Sequence, residues 1–155
     1  MAIRVRYLRT GMVAVLIAAA ALVPEAQAPA TVAERVRTAM LAQEPGWQLD
    51  DSALEDERFW QEWKNRAERI SIEYTEHPSD ADASAWLQAL PGKLAMSGEE
   101  PLTGVGDEAL IWTRLSSSGT TTIRFRKTRY IAAVTAPSKT FAVRIAKRIA
   151  AQIYE

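Results

Sequence analysis

Two Pro-Ser junctions, Pro78-Ser79 and Pro137-Ser138, each stand between a run of alternating residues and an amphipathic one. Ahead of the first, Arg69 to Thr75 puts Ile70, Ile72 and Tyr74 on one side and Ser71, Glu73 and Thr75 on the other. That is the period of a half-buried strand. A residue before proline is driven out of helical angles, which ends each strand, and each serine then caps a helix. Ser79, with Asp82 three residues on, opens a helix whose inner face is Ala83, Trp86, Leu87 and Leu90, with Pro91-Gly92 as its stop. Ser138 opens another, with Phe141, Ala142, Ile145, Ala146, Ile149 and Ile153 inward and Arg144, Lys147, Arg148 and Gln152 towards water. The repeated order reads as a degenerate duplication of a hairpin-then-helix unit. It predicts an α+β sandwich: a single antiparallel sheet of about five to six strands, two helices packed on one face, and a short N-terminal helix.

The N-terminal helix follows from Thr31-x-x-Glu34, a capping box, with Val32, Val36, Ala39 and Met40 along one side and Pro45-Gly46 at its end. Trp47 and Leu49 suggest a brief extended piece, and Asp50, Asp51, Glu55, Asp56 and Glu57 a solvated loop. Residues 52–69 admit two readings. Trp60, Trp63, Ala67 and Ile70 sit at helical spacing behind Ser52-x-x-Glu55, yet the strand from Arg69 needs a hydrogen-bonded neighbour. A hairpin over residues 58–76, turning at Lys64-Asn65, supplies one and is the reading adopted. Gly104-Val105-Gly106 then turns the chain into three strands, roughly Glu108 to Leu115, Thr120 to Arg126 and Arg129 to Val134. They are separated by Ser116-Ser117-Ser118-Gly119 and by Lys127-Thr128, with Ile123 and Phe125 inward and Arg124 and Arg126 outward.

The first thirty residues read as a separate unit. Arg4, Arg6 and Arg9 precede an uninterrupted apolar run from Gly11 to Val23, and Pro24 leads into alanines at signal-peptidase spacing. This is the pattern of a Sec-type secretory signal peptide, and the apolar core is too short to span a bilayer. Cleavage after Ala30 is preferred to cleavage after Ala28, which would leave Pro29 at the new N-terminus. Residues 31–155 then form a single α+β domain, secreted or periplasmic, of a size that builds one core.

The chain has no cysteine and one histidine, His77. That removes disulfides, thiolate metal sites and thiol nucleophiles, and it makes His-based metal clusters and Ser-His-Asp chemistry hard to assemble. No metal and no cofactor is expected, and an enzyme built from this chain would work with carboxylates, arginines and hydroxyls. The neutral net charge hides an asymmetry: Thr31 to Glu108 carries 17 acids against 7 bases, Ala109 to Glu155 one acid against 9 bases. Either the halves neutralise one another, or the basic half meets an anionic partner in the cell envelope. Nucleic acid is not expected.

Arg124, Arg126 and Arg129, with Lys127 and Tyr130, make the densest basic cluster and are the candidate ligand-binding residues, together with Asp107 and Glu108. Asp107 is expected to bond amides of its own turn or to pair with an arginine across the sheet. Adjacent residues of a strand point to opposite faces, so Asp107 and Glu108 are not expected to act as a carboxylate dyad. The glycines before them have no phosphate-loop continuation and read as a turn. No catalytic residue is assigned. The five tryptophans are expected mainly in the core, Trp86 by its helical position, with Trp60 and Trp63 on opposite faces of their strand.

Gly104-Val105-Gly106-Asp107-Glu108-Ala109, followed by Phe125-Arg126-Lys127 and a terminal amphipathic helix, resembles small secreted bacterial proteins of unassigned function. Those carry a G-x-G-D-E-A turn, an F-R-K-G hairpin and a C-terminal helix, and are loosely similar to PsbP/Mog1-type domains of exported lipoproteins. The similarity spans roughly residues 58–153. Thr128 stands where glycine is usual, so a left-handed turn is not expected there, and the lipid-bearing cysteine is absent. The resemblance implies a fold and a compartment, with no activity attached.

These features describe an exported, non-catalytic binding or accessory domain, with two alternatives: a small carboxylate/arginine enzyme on an anionic envelope substrate, or a structural domain that dimerises. N-terminal sequencing of the protein from its native host should return Thr31 first. Intact Met1 on the folded protein would contradict export.

Overall fold

Residues 58–76 are a hairpin, so the demand of the alternating strand for a partner outweighs the helical spacing of its tryptophans. The computed structural model describes residues 31–55, 57–94, 99–113 and 119–154. Among these, strands β1 (Gln48–Glu55), β2 (Arg58–Asn65), β3 (Glu68–Glu76), β4 (Glu100–Pro101), β5 (Glu108–Thr113), β6 (Thr121–Lys127) and β7 (Tyr130–Ala136) form one antiparallel sheet. Its order is β1-β2-β3-β7-β6-β5-β4. Three helices complete an α+β fold: α1 (Val32–Gln43), α2 (Asp80–Leu94) and α3 (Lys139–Ala150). The proposed leader, residues 1–30, and most of the Ser116–Gly119 turn lie outside the described residues.

One face of the sheet carries Trp63, Ile70, Ile72, Ile123, Phe125, Ala132 and Val134, and buries them under α1 and α3. Val32, Val36, Ala39 and Met40 line the inner side of α1, and Ala142, Ile145, Ala146 and Ile149 that of α3, as their spacing predicts. The capping box at Thr31 and Glu34 is formed in both directions. Glu44, just past α1 and buried, accepts from Nε and Nη2 of Arg144 at 3.1 and 3.0 Å and also from Arg148. A buried carboxylate with this many charge-assisted donors ties the end of α1 to α3.

The expectation that both long helices share a face is overturned. Ala83 and Leu87 of α2 pack with Ile131, Trp86 and Leu110 on the opposite face of the sheet. The residue pair Ile131-Ala132 shows why: both are buried, one under each helix layer, so β7 is covered on both sides. The strand order β1-β2-β3 against β7-β6-β5 is mirror-related, as a duplication about an axis normal to the sheet would give. Such an axis keeps both helices on one face, so the arrangement of α2 and α3 speaks against the duplication.

Four local expectations also shift. Asp50, Asp51 and Glu55 belong to edge strand β1 rather than a loop, and charge along an exposed edge discourages pairing with another chain. The β2–β3 turn falls at Arg66-Ala67, two residues beyond Lys64-Asn65. Helix α2 runs through Pro91-Gly92 to Leu94, although Pro91 has no N–H to give the preceding turn. Strand β4 was not anticipated; its proline sits on an edge, where a missing donor is tolerated.

Ile145 is fully buried against the sheet. Ile145→Ala should cost about 2–5 kcal/mol, as large-to-small changes in packed cores do. Chemical denaturation that shows an unchanged midpoint would place α3 elsewhere.

Candidate functional site

The sequence places a glycine where the chain must cross the end of a strand. Gly106 has φ +59°, and a Cβ on it would come within 2.3 Å of the Arg126 carbonyl oxygen, so no side chain fits. This close approach lets the Asp107 N–H donate to that same carbonyl at 2.8 Å. Asp107 is thereby set beside the β6–β7 turn and Glu108 at the start of β5.

Both acids converge on Arg126. Asp107 Oδ2 accepts from the Thr128 N–H at 2.8 Å and from Arg126 Nη1 at 3.3 Å, while Oδ1 accepts from Lys127 Nζ at 2.9 Å. Glu108 Oε1 accepts from Arg126 Nε at 3.0 Å and from the Ser84 hydroxyl of α2 at 2.8 Å. Asp107 thus bonds its turn and pairs with an arginine, as expected. It precedes the strand, however, so the alternation that separates adjacent strand residues does not keep the two carboxylates from one guanidinium. Thr128 adopts φ +50° after all. The Asp107 carboxylate held on its N–H, and its carbonyl accepting from Arg126 at 3.0 Å, compensate the left-handed backbone.

Burial raises the pKa of Asp107, but the hydrogen bonds from Lys127 and Thr128 and the charges of Lys127 and Arg126 outweigh it and hold the carboxyl below its ordinary value. The Ser84 hydroxyl leads in lowering that of Glu108; burial opposes it, and Arg126 and Gln88 add to the lowering. Arg129 sits in the turn and pairs with Glu76 at 2.8 Å. The basic half is therefore largely met by the acidic half, through Arg126, Lys127, Arg129, Arg144 and Arg148.

Arg124 differs from these. It lies two residues before Arg126, on the same face, in a cross-strand row that reads Trp60, Glu73, Ala133, Arg124, Leu110. Ala133 separates Glu73 from Arg124 by two strand spacings, about 10 Å between Cα atoms, and its small side chain leaves a hollow. Among the described residues Arg124 has no ion pair within 4.0 Å, and its Nε is buried without a hydrogen-bond partner. Its guanidinium lies 5.6 Å from the centre of the Trp112 ring. Burial pulls its pKa down and Glu73 pushes it back up, and arginine keeps its charge.

The hollow is a cavity of about 130 Å³, walled by Arg58, Glu73, Tyr74, Thr75, Trp86, Arg124, Ile131 and Ala133. Arg58 reaches Glu73 at 3.9 Å. Of the sequence-derived candidates, Asp107, Glu108 and Arg126 are brought together in one network, Arg124 is on the cavity, and Arg129 is at neither. Arg58, Glu73, Thr75 and Trp86 were not anticipated, nor was Trp86 as a half-buried wall rather than core. Trp47 and Trp63 are buried, as expected of core tryptophans; Trp60 and Trp112, like Trp86, are half-buried on the α2 side. His77 follows β3 in a loop, its ring 5.7 Å from that of Trp86. The described residues hold no cluster of three or more metal-ligating side chains, and no helix among them is long and apolar enough to cross a membrane. No protein-family model, curated protein or solved structure matches this chain.

Because both carboxyls of the Asp107–Arg126–Glu108 network titrate below their unfolded values, their stabilisation is fully present above the unfolded-chain pKa of about 4 and is lost as pH falls through the folded-state values. Asp107→Asn should therefore flatten the fall of melting temperature between about pH 5 and pH 3. Parallel curves for variant and wild type would show that the network does not hold the turn.

Proposed function

We propose that the chain is an exported, non-catalytic binding domain that holds one anionic group of a larger envelope ligand against Arg124. The observation that carries this reading is the contrast within one cluster: Arg126 and Arg129 are neutralised by acids, while Arg124 faces a cavity with an unpartnered Nε. Arg58 and Arg124 against Glu73 leave one positive charge in excess there, which a single carboxylate or phosphate balances. A cavity of about 130 Å³ accepts such a group but not a whole drug-sized molecule, so the rest of the ligand would lie along the open sheet beside Trp60 and Trp86.

Binding is favoured over the carboxylate/arginine enzyme because Asp107 and Glu108 have depressed pKa values and three of their four oxygens are held by Arg126, Lys127, Thr128 and Ser84, while Glu108 Oε2 accepts from Gln88 at 3.5 Å. A general base near neutral pH needs the opposite environment. The resemblance to small secreted bacterial proteins and the leader-like first thirty residues support the exported part of this reading.

Trp112 lies against the guanidinium and Trp86 lines the same cavity, so intrinsic fluorescence reports on its occupancy. Titration at low salt with glucuronate, and separately with inorganic phosphate, should give a saturable change in wild type and in Arg129→Gln, and none in Arg124→Gln. Added salt should weaken it, since screening acts on a partly exposed charge. An Arg124→Gln protein that titrates like wild type would remove this site.

A further inference from the structure

The opposite face of the sheet has a second and larger cavity, at the start of α1. Val32, Leu54, Phe59, Tyr74, Tyr130 and Glu57 line about 450 Å³ of it, within the range of small-molecule sites. Its walls are mostly apolar. Phe59 and Tyr74, opposite one another across β2 and β3, stack with ring centres 4.9 Å apart, and Leu54 is left 72% exposed on β1.

Two polar features break this apolar lining. Tyr74 is 93% buried, being 7% exposed, yet its phenol oxygen has no hydrogen-bond partner. A hydroxyl withdrawn from water in this way normally finds a partner. Burial, with the Tyr130 phenol adding to it, pushes its pKa up, so it stays a neutral hydroxyl able to accept as well as donate. The second feature is charge: Glu57 and Glu76 line the cavity and no lysine or arginine does. Glu76 is met by Arg129 at 2.8 Å, whereas Glu57 has no ion pair within 4.0 Å among the described residues.

We propose that this cavity binds a small amphipathic amine, its aromatic or branched body against Phe59, Tyr74 and Leu54 and its ammonium between Glu57 and the Tyr74 phenol oxygen. An ammonium has three donors and no acceptor, which matches a carboxylate and a hydroxyl lone pair. The aromatic faces nearby also favour a cation. The site lies on the opposite face of the sheet from the Arg124 cavity, with Tyr74 in the lining of both, and prefers the opposite charge.

The probe is 2-phenylethylamine, with phenylacetate as the same ring bearing the opposite charge, followed by NMR titration and melting temperature. Wild type and Arg124→Gln should bind the amine saturably and melt higher with it, and phenylacetate should bind at least about tenfold more weakly. Tyr74→Phe and Glu57→Gln should each weaken the amine about tenfold, the scale of one hydrogen bond to a charged group. Without ligand, Tyr74→Phe should melt no lower than wild type, since it deletes an unpartnered hydroxyl and keeps the ring. The proposal is overturned by no saturable binding at millimolar amine, by equal binding of phenylacetate, by unchanged affinity in both variants, or by a Tyr74→Phe protein that melts well below wild type, which would mean the hydroxyl already has a partner.

Discussion

Burial of the central strands from both sides is the constraint on which the rest of the molecule depends. Helices α1 and α3 cover one face through a continuous apolar layer centred on Ile123, Phe125, Ala132 and Val134. Among the described residues the opposite face receives only α2, through the smaller cluster of Ala83, Leu87 and Ile131. A single helix cannot shield a seven-stranded sheet, so that side grades from packed to open across β7 and β3. Strand β6 alternates between the two regimes, placing Ile123 and Phe125 in the deep core and Arg124 and Arg126 under or beside α2.

Charges set beside a helix on a half-covered sheet must be matched or stay costly. The chain matches Arg126 by bringing Gly106-Asp107 over the end of β6, by starting β5 with Glu108, and by turning Ser84 and Gln88 of α2 towards the same carboxylate. This arrangement also holds the β6–β7 turn at Thr128 and docks α2. One turn of alternation away, Arg124 has Ala133 rather than an acid as its cross-strand neighbour. The same strand therefore contains a guanidinium paired with acids and one with no ion pair among the described residues.

Much of this was legible along the chain. Capping signals gave the starts of α1 and α3, 3.6-residue spacing gave their buried faces, and the alternation in β3 and β6 gave their registers of inside and outside. The face taken by α2 was missed, although Ile131-Ala132 and the run Ala109-Leu110-Ile111-Trp112 carry the signature of strands buried on both sides. Alternation within one strand says that two faces differ; it does not say which helix crosses which face. The edge strand β1 was hidden because the charge that protects an edge is also the composition of a loop. At the site, the pairing of Asp107 with a neighbouring arginine was readable from the glycine turn. The separation of Arg124 from the other basic residues was not, since it depends on Ala133 and Glu73 arriving from distant strands.

The division of labour between Arg124 and Arg126 is tested most directly by NMR of the arginine Nε–Hε groups, assigned by single Arg→Lys variants. With Arg126 Nε bonded to Glu108 and Arg124 Nε without a partner, the Arg126 proton should exchange slowly and stay fixed while phosphate is added. The Arg124 proton should be the one that shifts. An Arg124 resonance unmoved by the anion, or an Arg126 resonance that moves in its place, would contradict this account of the sheet's open face.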